Sequence, residues 1–252
     1  MSDRIILKLG GSVITDKGAD CTVNKSALAG IASAIAGAPP ATQIVVVHGA
    51  GSCGHPEARK YQLDRGATAG HTEGIGITHD AVSSLNTAVV AALRDAGVQA
   101  VGIHPLHAGV ADQGRLVAFE TGHMEKMLAL GMVPVIHGDV VMDLSRGACI
   151  VSGDQLVRHL AVALKCTRVG LATDVPGVLD GGRVVREITP RTVHTLQIGS
   201  SSHTDVTGGM KGKIDELLGL AAAGTESGIF SVSRLGDFLA GKDHGGTTVR
   251  GG

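Results

Sequence analysis

The residues best suited to chemistry in this chain lie in a glycine-rich segment, residues 49–56, which reads GAGSCGHP. It follows a β-branched run at residues 44–47, so the pattern predicts a strand, a glycine turn and the start of a helix. Backbone N–H groups at such a place bind phosphate. Pro56 suits the first position of a helix, which would place His55 at the cap, where its imidazole could donate to the same anion.

The spacing of Gly49, Gly51 and Gly54 also matches G-x-G-x-x-G, the fingerprint of dinucleotide-binding proteins. That fingerprint normally follows the first strand of the fold and needs an acidic residue about 20 positions later, at the end of a second strand. Here it follows the second predicted strand, and Asp64 and Glu73 lie in a glycine-rich stretch. A dinucleotide-dependent oxidoreductase stays open as the alternative.

The first predicted strand carries Lys8 and ends in Gly10, Gly11 and Ser12, with Lys17 shortly after. An ammonium group inside an apolar strand is costly unless an anion meets it, and the two glycines would let backbone amides approach that anion. The alternative is a lysine on an edge strand that reaches solvent beside an ordinary turn.

A second candidate charge is Asp154, which follows Ser152 and precedes Gln155. Ser152 and Gln155 fit a capping box, which predicts that a helix begins here. Asp154 in its first turn could simply favour the positive end of the helix dipole. It could instead pair with Lys8 and Lys17 and hold their ammonium groups in place.

A third glycine turn, residues 205–209, leads into an amphipathic stretch whose first turn carries Lys211 and Lys213. Cations are disfavoured there unless an anion binds, and helical periodicity does not choose between the two lysines. Solvated lysines are the alternative. With glycine turns and cations in both halves of the chain, the pattern indicates a phosphate donor facing a phosphate acceptor. A P-loop and the protein-kinase signatures are both absent from the sequence.

Apolar runs alternate with helical periodicity along the chain, which predicts an α/β fold with a mainly parallel sheet covered on both faces. The predicted strands are residues 5–9, 44–47, 98–103, 133–136, 169–172 and 229–232.

Some segments depart from this alternation. Residues 140–151 and 178–188 are predicted as β-hairpins, and the aperiodic residues 62–78 as a lid over the site. We expect one continuous domain with two lobes that meet near Cys166. Residues 1–165 would bind the phosphate acceptor, and residues 166–252 would bind the nucleotide.

Charge and cysteine content indicate which classes of partner and which cellular compartment to expect. Net charge is −1, which gives no basic surface for nucleic acid or an anionic membrane, so small-molecule substrates are expected. The four cysteines are far apart without a C-x-x-C pair, which predicts free thiols and no zinc site. With no signal-peptide pattern and no apolar run long enough to span a bilayer, we expect a cytoplasmic protein.

Taken in order, these motifs resemble the amino acid kinase superfamily and, within it, the isopentenyl phosphate kinases. The resemblance spans nearly the whole chain and is carried by KLGGS at residues 8–12 with Lys17, HGAGSCGHP at 48–56, PVIHGDVV at 134–141, SGD at 152–154, ATDVPGV at 172–178 and DVTGGM at 205–210.

The resemblance implies a three-layer αβα sandwich like that of carbamate kinase, with a mainly parallel central sheet and β-hairpin insertions. It implies Mg²⁺-dependent transfer of the ATP γ-phosphoryl group to isopentenyl phosphate, giving isopentenyl diphosphate for isoprenoid synthesis by the alternative mevalonate route. His55 points to this family, because amino acid kinases generally lack a histidine there. Fosfomycin kinases have one, so a phosphonate acceptor remains an alternative, as does a non-catalytic nucleotide-binding protein. A homodimer is expected from the family.

By the same resemblance, Lys8 and Lys17 would neutralise the transferring phosphoryl group, and Asp154 would orient them. Lys213 would hold ATP phosphates, which favours it over Lys211. No protein ligand for the metal is expected. The remaining implied contacts are Gly10, Gly11, Ser12 and Gly51 to phosphates, Asp174 and Gly209 to the nucleotide, and Ala50, Gly54, His55 and Gly153 to the acceptor.

Two positions depart from the family pattern. Ala50 stands where a third glycine is usual, and Cys53 stands where phenylalanine is usual. Both bear on the identity of the acceptor more than on the class of reaction.

Overall fold

The computed structural model describes residues 3–16, 21–196 and 209–252. Fourteen strands are found in these ranges: β1 (Arg4–Leu9), β2 (Gln43–His48), β3 (Ala100–Ile103), β4 (Gly109–Asp112), β5 (Arg115–Phe119), β6 (Val133–His137), β7 (Asp139–Asp143), β8 (Gly147–Val151), β9 (Arg168–Thr173), β10 (Leu179–Asp180), β11 (Arg183–Val184), β12 (Glu187–Ile188), β13 (Ser227–Ser231) and β14 (Thr247–Val249).

The same ranges contain nine α-helices. They are α1 (Gly11–Ile14), α2 (Lys25–Ala36), α3 (Gly51–Lys60), α4 (Thr72–Asp95), α5 (Pro105–Ala108), α6 (Gly122–Ala129), α7 (Gly153–Ala163), α8 (Gly209–Ala222) and α9 (Leu235–Leu239). Short 3₁₀ turns lie at Leu63–Arg65, Ala69–His71, Val193–Thr195 and Val232–Arg234.

Eight strands form the central sheet in the order β12-β14-β13-β9-β1-β2-β6-β3. All neighbours are parallel except β13 and β14. The six strands predicted from the sequence are all in this sheet, so the prediction of a mainly parallel α/β fold is confirmed. The expected lobe boundary at residues 165 and 166 falls between α7 and β9, and strands from both sides of it share the sheet.

Alternating side chains of the strands build two separate apolar cores. On β1, Ile6 packs in a core with Leu156 and Leu160 of α7, whereas Ile5 and Leu7 pack in a core with residues of α2 and α4. Because side chains of a strand alternate between its faces, the two cores lie on opposite sides of the sheet. Helices therefore cover both faces, which gives the expected three-layer sandwich.

Beside the main sheet, two small sheets carry the hairpins. β7 and β8 form the first predicted hairpin and join β4 and β5 in a four-stranded sheet, while β10 and β11 form the second. The β4–β5 hairpin was not predicted. β12 was expected in the second hairpin, but it pairs with β14 at the edge of the main sheet.

Two helices begin earlier in the chain than the sequence patterns predicted. The glycine loop itself winds into α3, so Pro56 is the sixth residue of that helix and His55 lies inside it rather than at its cap. Helix α4 begins at Thr72, so the last part of the predicted lid, residues 72–78, is helical. In both cases glycines hid the helical pattern, because they add little to hydrophobic periodicity. No helix in the described ranges is long and apolar enough to cross a membrane.

Candidate active site

The first two glycine turns meet at the carboxyl ends of β1 and β2. A methyl group added to Gly11 would lie 2.4 Å from the Gly51 backbone nitrogen, and one on Gly49 would lie 2.9 Å from that of Gly11. Gly51 also has φ +56°, in the left-handed region that favours glycine. Only glycine therefore lets the two backbones pass this closely. The predicted phosphate-binding residues Gly10, Gly11 and Gly51 are brought together.

The ammonium of Lys8 forms an ion pair with Asp154. Lys8 Nζ lies 2.7 Å from Asp154 Oδ1, and the two side chains are only 7% and 8% exposed. Strand β1 is central, between β9 and β2, so the alternative of an edge-strand lysine reaching solvent is wrong. Pairing with Lys8 was one of the two interpretations of Asp154, and the structure contains it.

Asp154 also approaches a second cation. Lys213 Nζ lies 3.6 Å from Asp154 Oδ2, its side chain is 17% exposed, and it donates to the Gly209 carbonyl at 3.4 Å. Lys211, on the same turn of α8, is exposed. The predicted choice of Lys213 over Lys211 thus agrees with their placement. Lys17 lies outside the described residues, so its expected contact with Asp154 stays a prediction.

Two ammonium groups around one carboxylate leave the cluster with a net positive charge, at a point where glycine turns approach. Because burial lowers the local dielectric, such a cluster attracts an anion more strongly than the same charges would in water. The arrangement is suited to binding phosphate groups rather than to acid–base chemistry.

Asp154 reaches this place because α7 begins just before it. Ser152 Oγ accepts a hydrogen bond from the Gln155 backbone N–H at 3.2 Å, as predicted. Gln155 does not complete the capping box, since its Oε1 accepts from the Leu116 N–H at 3.1 Å and so ties α7 to β5. A methyl group on Gly153 would lie 3.1 Å from Lys8 Cε, so this glycine leaves room for the lysine stem.

The glycine-rich segment at residues 49–56, which is expected to bind the acceptor and is called the acceptor loop below, opens α3 and contacts neighbouring elements. Ser52 N–H donates to Thr15 Oγ1 at 3.1 Å, and a methyl group on Gly54 would lie 2.4 Å from Val82 Cγ1 of α4. Gly54 is therefore required for helix packing, in addition to any contact with an acceptor. His55 is half-buried in the second turn of α3, and Ala50 is the helix cap.

The prediction of four free thiols is wrong. Cys21 and Cys53 form a disulfide, whereas Cys149 and Cys166 are free and buried, and burial raises the pKa of both thiols to about 12. The pair was missed because 32 positions separate the two residues. Closing a loop of this length constrains the unfolded chain and is worth about 2–4 kcal/mol. Cys53 thus brings a covalent crosslink, not a thiol, to the acceptor loop.

The residues expected to contact the nucleotide lie at the start or end of elements along the same edge. Gly10 N–H donates to the Ala172 carbonyl at 2.9 Å, which joins the first glycine turn to the end of β9. Asp174 follows β9 and is exposed, as is Ser12 in α1. Gly209 has φ +59° at the first turn of α8, and residues 205–208 of the same motif lie outside the described residues.

Glu216 was missed by the sequence analysis, and it fixes the helix that carries Lys213. Its carboxylate accepts from Arg115 of β5 at 2.5 Å and from Arg158 of α7 at 3.2 Å. A cavity of about 360 Å³ opens between these elements and reaches Asp154. No local sequence pattern predicts the role of Glu216, because its two arginine partners lie 101 and 58 residues away in the sequence.

A histidine cluster was also missed. The rings of His79 in α4, His104 after β3 and His137 in β6 have centroids 5.1–6.4 Å apart. A hydrogen bond of 2.9 Å joins His79 Nδ1 to Asp139 Oδ2. The sequence carries 12 histidines in all, and only the fold shows which of them meet.

Comparison with known proteins finds similar sequences and a similar fold. The sequence model of the amino acid kinase family matches residues 3–231. The chain is similar to an isopentenyl phosphate kinase of Haloferax volcanii, with 43% identity over 248 residues and 98% of each chain covered. It is 38% identical to one of Methanothermobacter thermautotrophicus over 267 residues, covering 98% of this chain and 99% of the relative. A crystal structure of an isopentenyl phosphate kinase superposes with a TM-score of 0.85, at 35% identity over 97% of this chain and 99% of that one.

The two charges of the central ion pair should differ in their effect on stability. We expect Asp154→Asn to lower the free energy of unfolding by about 3–5 kcal/mol, because two ammonium groups then lose their shared carboxylate. Lys8→Met should lower it by less than about 1.5 kcal/mol, since methionine fills the space of the stem and Asp154 keeps Lys213. Urea unfolding followed by circular dichroism measures both. Equal losses, or a larger loss for Lys8→Met, would contradict the arrangement.

Proposed function

The chain belongs to the amino acid kinase family, and from that premise we propose that it transfers the γ-phosphoryl group of ATP to isopentenyl phosphate, giving isopentenyl diphosphate and ADP. The observation that carries the proposal is the convergence of the acceptor loop with Lys8, Asp154 and Lys213 at one edge of the sheet. Similarity over almost the full chain to proteins named isopentenyl phosphate kinase supports the same conclusion. The alternative of a dinucleotide-dependent oxidoreductase is wrong for a member of this family.

The residues in and near the acceptor loop are suited to an acceptor that carries a phosphate group. We propose that Ala50 at the cap of α3, Gly54 and His55 within α3, and Gly153 at the start of α7 bind its phosphate. Backbone N–H groups at helix starts favour anions, and the His55 imidazole can donate a further hydrogen bond. A phosphonate acceptor of the kind that fosfomycin kinases use would present the same charged oxygens and remains the second candidate.

On the donor side, Lys8, Gly10, Gly11, Ser12 and Gly51 are proposed to meet the transferring phosphoryl group, together with Lys17. Asp174, Gly209 and Lys213 are proposed to bind the rest of the nucleotide. Those of them that the structure describes lie at the carboxyl ends of β1, β2 and β9 or in the first two turns of α8. That is where ligands bind in open parallel sheets.

The acceptor is already an oxyanion, so the reaction needs no general base. Catalysis then consists of positioning and charge neutralisation, as is general for phosphoryl transfer. Lys8 and Lys213 supply positive charge, and Asp154 holds both of them against their mutual repulsion. Because Asp154 accepts a hydrogen bond from Lys8 and forms an ion pair with Lys213, it is a residue that orients the lysines rather than a proton acceptor.

Mg²⁺ fits this site as a partner of the ATP phosphates. The ion usually keeps several waters and binds substrate phosphates together with one or two carboxylates. When bound, it would neutralise phosphate charge, and we assign it no protein ligand. We further propose a homodimer, a cytoplasmic location, where ATP is supplied, and the two binding lobes at residues 1–165 and 166–252.

The substrate is tested by measuring ADP release with five acceptors side by side: isopentenyl phosphate, dimethylallyl phosphate, fosfomycin, UMP and N-acetylglutamate. We expect the highest kcat/KM with isopentenyl phosphate, and identification of the diphosphate product by mass spectrometry. Faster turnover of fosfomycin would favour the second candidate. Turnover of N-acetylglutamate without turnover of any phosphate or phosphonate would overturn the acceptor assignment, and no turnover at all would favour a binding protein.

The two lysines of α8 provide a matched pair of variants. Lys213→Met should lower kcat on the order of 10²–10³, the usual result of removing one group that stabilises the transition state. Lys211→Met changes the same residue type on the same turn, but at an exposed position, and should stay within about threefold of wild type, as is usual for surface substitutions. Steady-state kinetics with saturating ATP separates the two. Similar losses in both variants would refute the role given to Lys213.

A further inference from the structure

Two histidines occupy equivalent positions at the ends of neighbouring strands. His48 is the last residue of β2 and His137 the last of β6, they are paired in register, and each is followed by a glycine. Both are fully buried, and their rings stack with centroids 5.6 Å apart. Nothing in the proposed reaction uses either ring.

Each ring is bonded to the carbonyl of the glycine that follows it. His48 Nδ1 lies 3.0 Å from the Gly49 oxygen, and His137 Nδ1 lies 3.1 Å from the Gly138 oxygen. A carbonyl oxygen only accepts, so both Nδ1 atoms must carry the proton. Burial lowers the pKa of His48 to about 4 and that of His137 well below its usual value, so each ring is neutral near pH 7.

In a neutral ring with a protonated Nδ1, Nε2 is an acceptor, and both rings find a donor there. The Asn86 side-chain amide donates to His48 Nε2 at 3.1 Å, and its nitrogen also contacts the Val135 carbonyl at 3.2 Å. His104 Nδ1 donates to His137 Nε2 at 2.9 Å. The neighbouring side chains therefore select a single tautomer for both histidines.

Further hydrogen bonds connect His104 to the buried carboxylate of Asp139. Ser83 Oγ lies 3.3 Å from His104 Nδ1 and 3.2 Å from His79 Nε2. His79 Nδ1 donates to Asp139 Oδ2 at 2.9 Å, and this contact raises the pKa of His79. The chain of hydrogen bonds thus runs from Asp139 back to the Gly138 carbonyl, with the sense of donation fixed at each end.

Holding a carbonyl also aims the next N–H group. In a trans peptide the C=O and N–H bonds point in opposite directions, so a Gly49 oxygen turned toward His48 directs the Ala50 N–H the other way. Ala50 is the cap of α3, in the acceptor loop. Within the parts of the chain that the structure describes, the Ala50 and Gly51 N–H groups have no hydrogen-bond partner. These are the donors that a helix start offers to an anion.

His137 acts in the same way on the neighbouring turn. Gly138 N–H donates to the His48 carbonyl at 3.0 Å, and a methyl group on Gly138 would lie 3.2 Å from the Gly153 nitrogen. The next residue, Asp139, begins β7 and pairs with Val151, the last residue of β8. Gly138 therefore lies directly beside the place where β8 ends and α7 begins with Gly153 and Asp154.

We propose that His48 and His137 are positioning residues for phosphoryl transfer, each locking the peptide after its glycine so that the Ala50 N–H faces the acceptor phosphate and Asp154 meets Lys8. The inference rests on the function proposed above for its substrates, but the hydrogen bonds can be tested without them. Neither histidine touches a substrate.

Asparagine and glutamine distinguish the two ring nitrogens of His48. In His48→Asn the amide nitrogen takes the place of Nδ1, so the bond to the Gly49 carbonyl can be kept. In His48→Gln the amide lies near Nε2, so contact with Asn86 is kept and the bond to Gly49 is lost. We expect His48→Gln to raise the acceptor KM and lower kcat, together reducing kcat/KM on the order of 10²-fold, with the ATP KM within twofold of wild type. His48→Asn should recover at least tenfold of that loss.

His194 is exposed and serves as the control, so His194→Gln should match wild type. Thermal unfolding of each variant separates loss of fold from loss of positioning. Equal kinetics for His48→Asn and His48→Gln, or a fall in kcat with an unchanged acceptor KM, would overturn the proposal. Failure of the proposed function is a different result, namely no turnover of isopentenyl phosphate by the wild type.

A spectroscopic measurement on the wild type applies even if the variants do not fold. Long-range ¹H–¹⁵N correlation spectra of the ¹⁵N-labelled protein, assigned with the His48 and His137 variants or by through-bond experiments, report the tautomer of each ring. Two neutral rings protonated on Nδ1 between pH 6 and pH 8 are expected. Protonation on Nε2 in either ring would contradict the proposal.

Discussion

Lys8 carries a positive charge into the middle of an eight-stranded sheet, and Asp154 makes that placement tolerable. Lys8 without Asp154 would be destabilising there, because removing an unpaired charge from water costs several kcal/mol. The pair joins the central strand β1 to the first turn of α7, and Asp154 extends the contact to Lys213 at the start of α8. One carboxylate thereby links the strand that leads into the first glycine turn with the helix expected to hold ATP phosphates.

Closely packed glycine turns surround the cluster of Lys8, Asp154 and Lys213. The turns after β1 and β2 approach so closely that side chains at Gly11 or Gly49 would clash with the neighbouring turn, and Gly153 leaves space for the stem of Lys8. Peptide N–H groups can then face a ligand at close range. Side chains outside the site set the orientation of these peptides, which is the task we infer for His48 and His137. Glu216, held by Arg115 and Arg158, fixes α8 in a comparable way.

Local signals in the sequence were sufficient for six of the eight strands of the main sheet, and they singled out the charged residues that the structure brings together. Lys8 stood out as a charge inside an apolar strand, and Lys211 and Lys213 as cations at a helix start, where the dipole disfavours them. The choice of Lys213, and the pairing of Asp154 with the lysines, came from the family resemblance. The pattern failed where the information is not local. Cys21 and Cys53 are 32 positions apart, and Glu216 and Arg115 are 101 apart, so only the fold brings them together. The start of α3 was misplaced because proline and glycine, which usually mark helix ends, lie inside it.

The central claim is that Lys8, Asp154 and Lys213 form the place where the phosphoryl group passes from donor to acceptor. A crystal structure of the protein with isopentenyl phosphate and a non-hydrolysable ATP analogue tests it most directly. We expect oxygens of the γ-phosphoryl group within hydrogen-bond distance of Lys8 Nζ, with the acceptor phosphate at the first turn of α3. Phosphates bound away from Lys8 and Lys213, with the ion pair to Asp154 unchanged and remote from both ligands, would contradict the account.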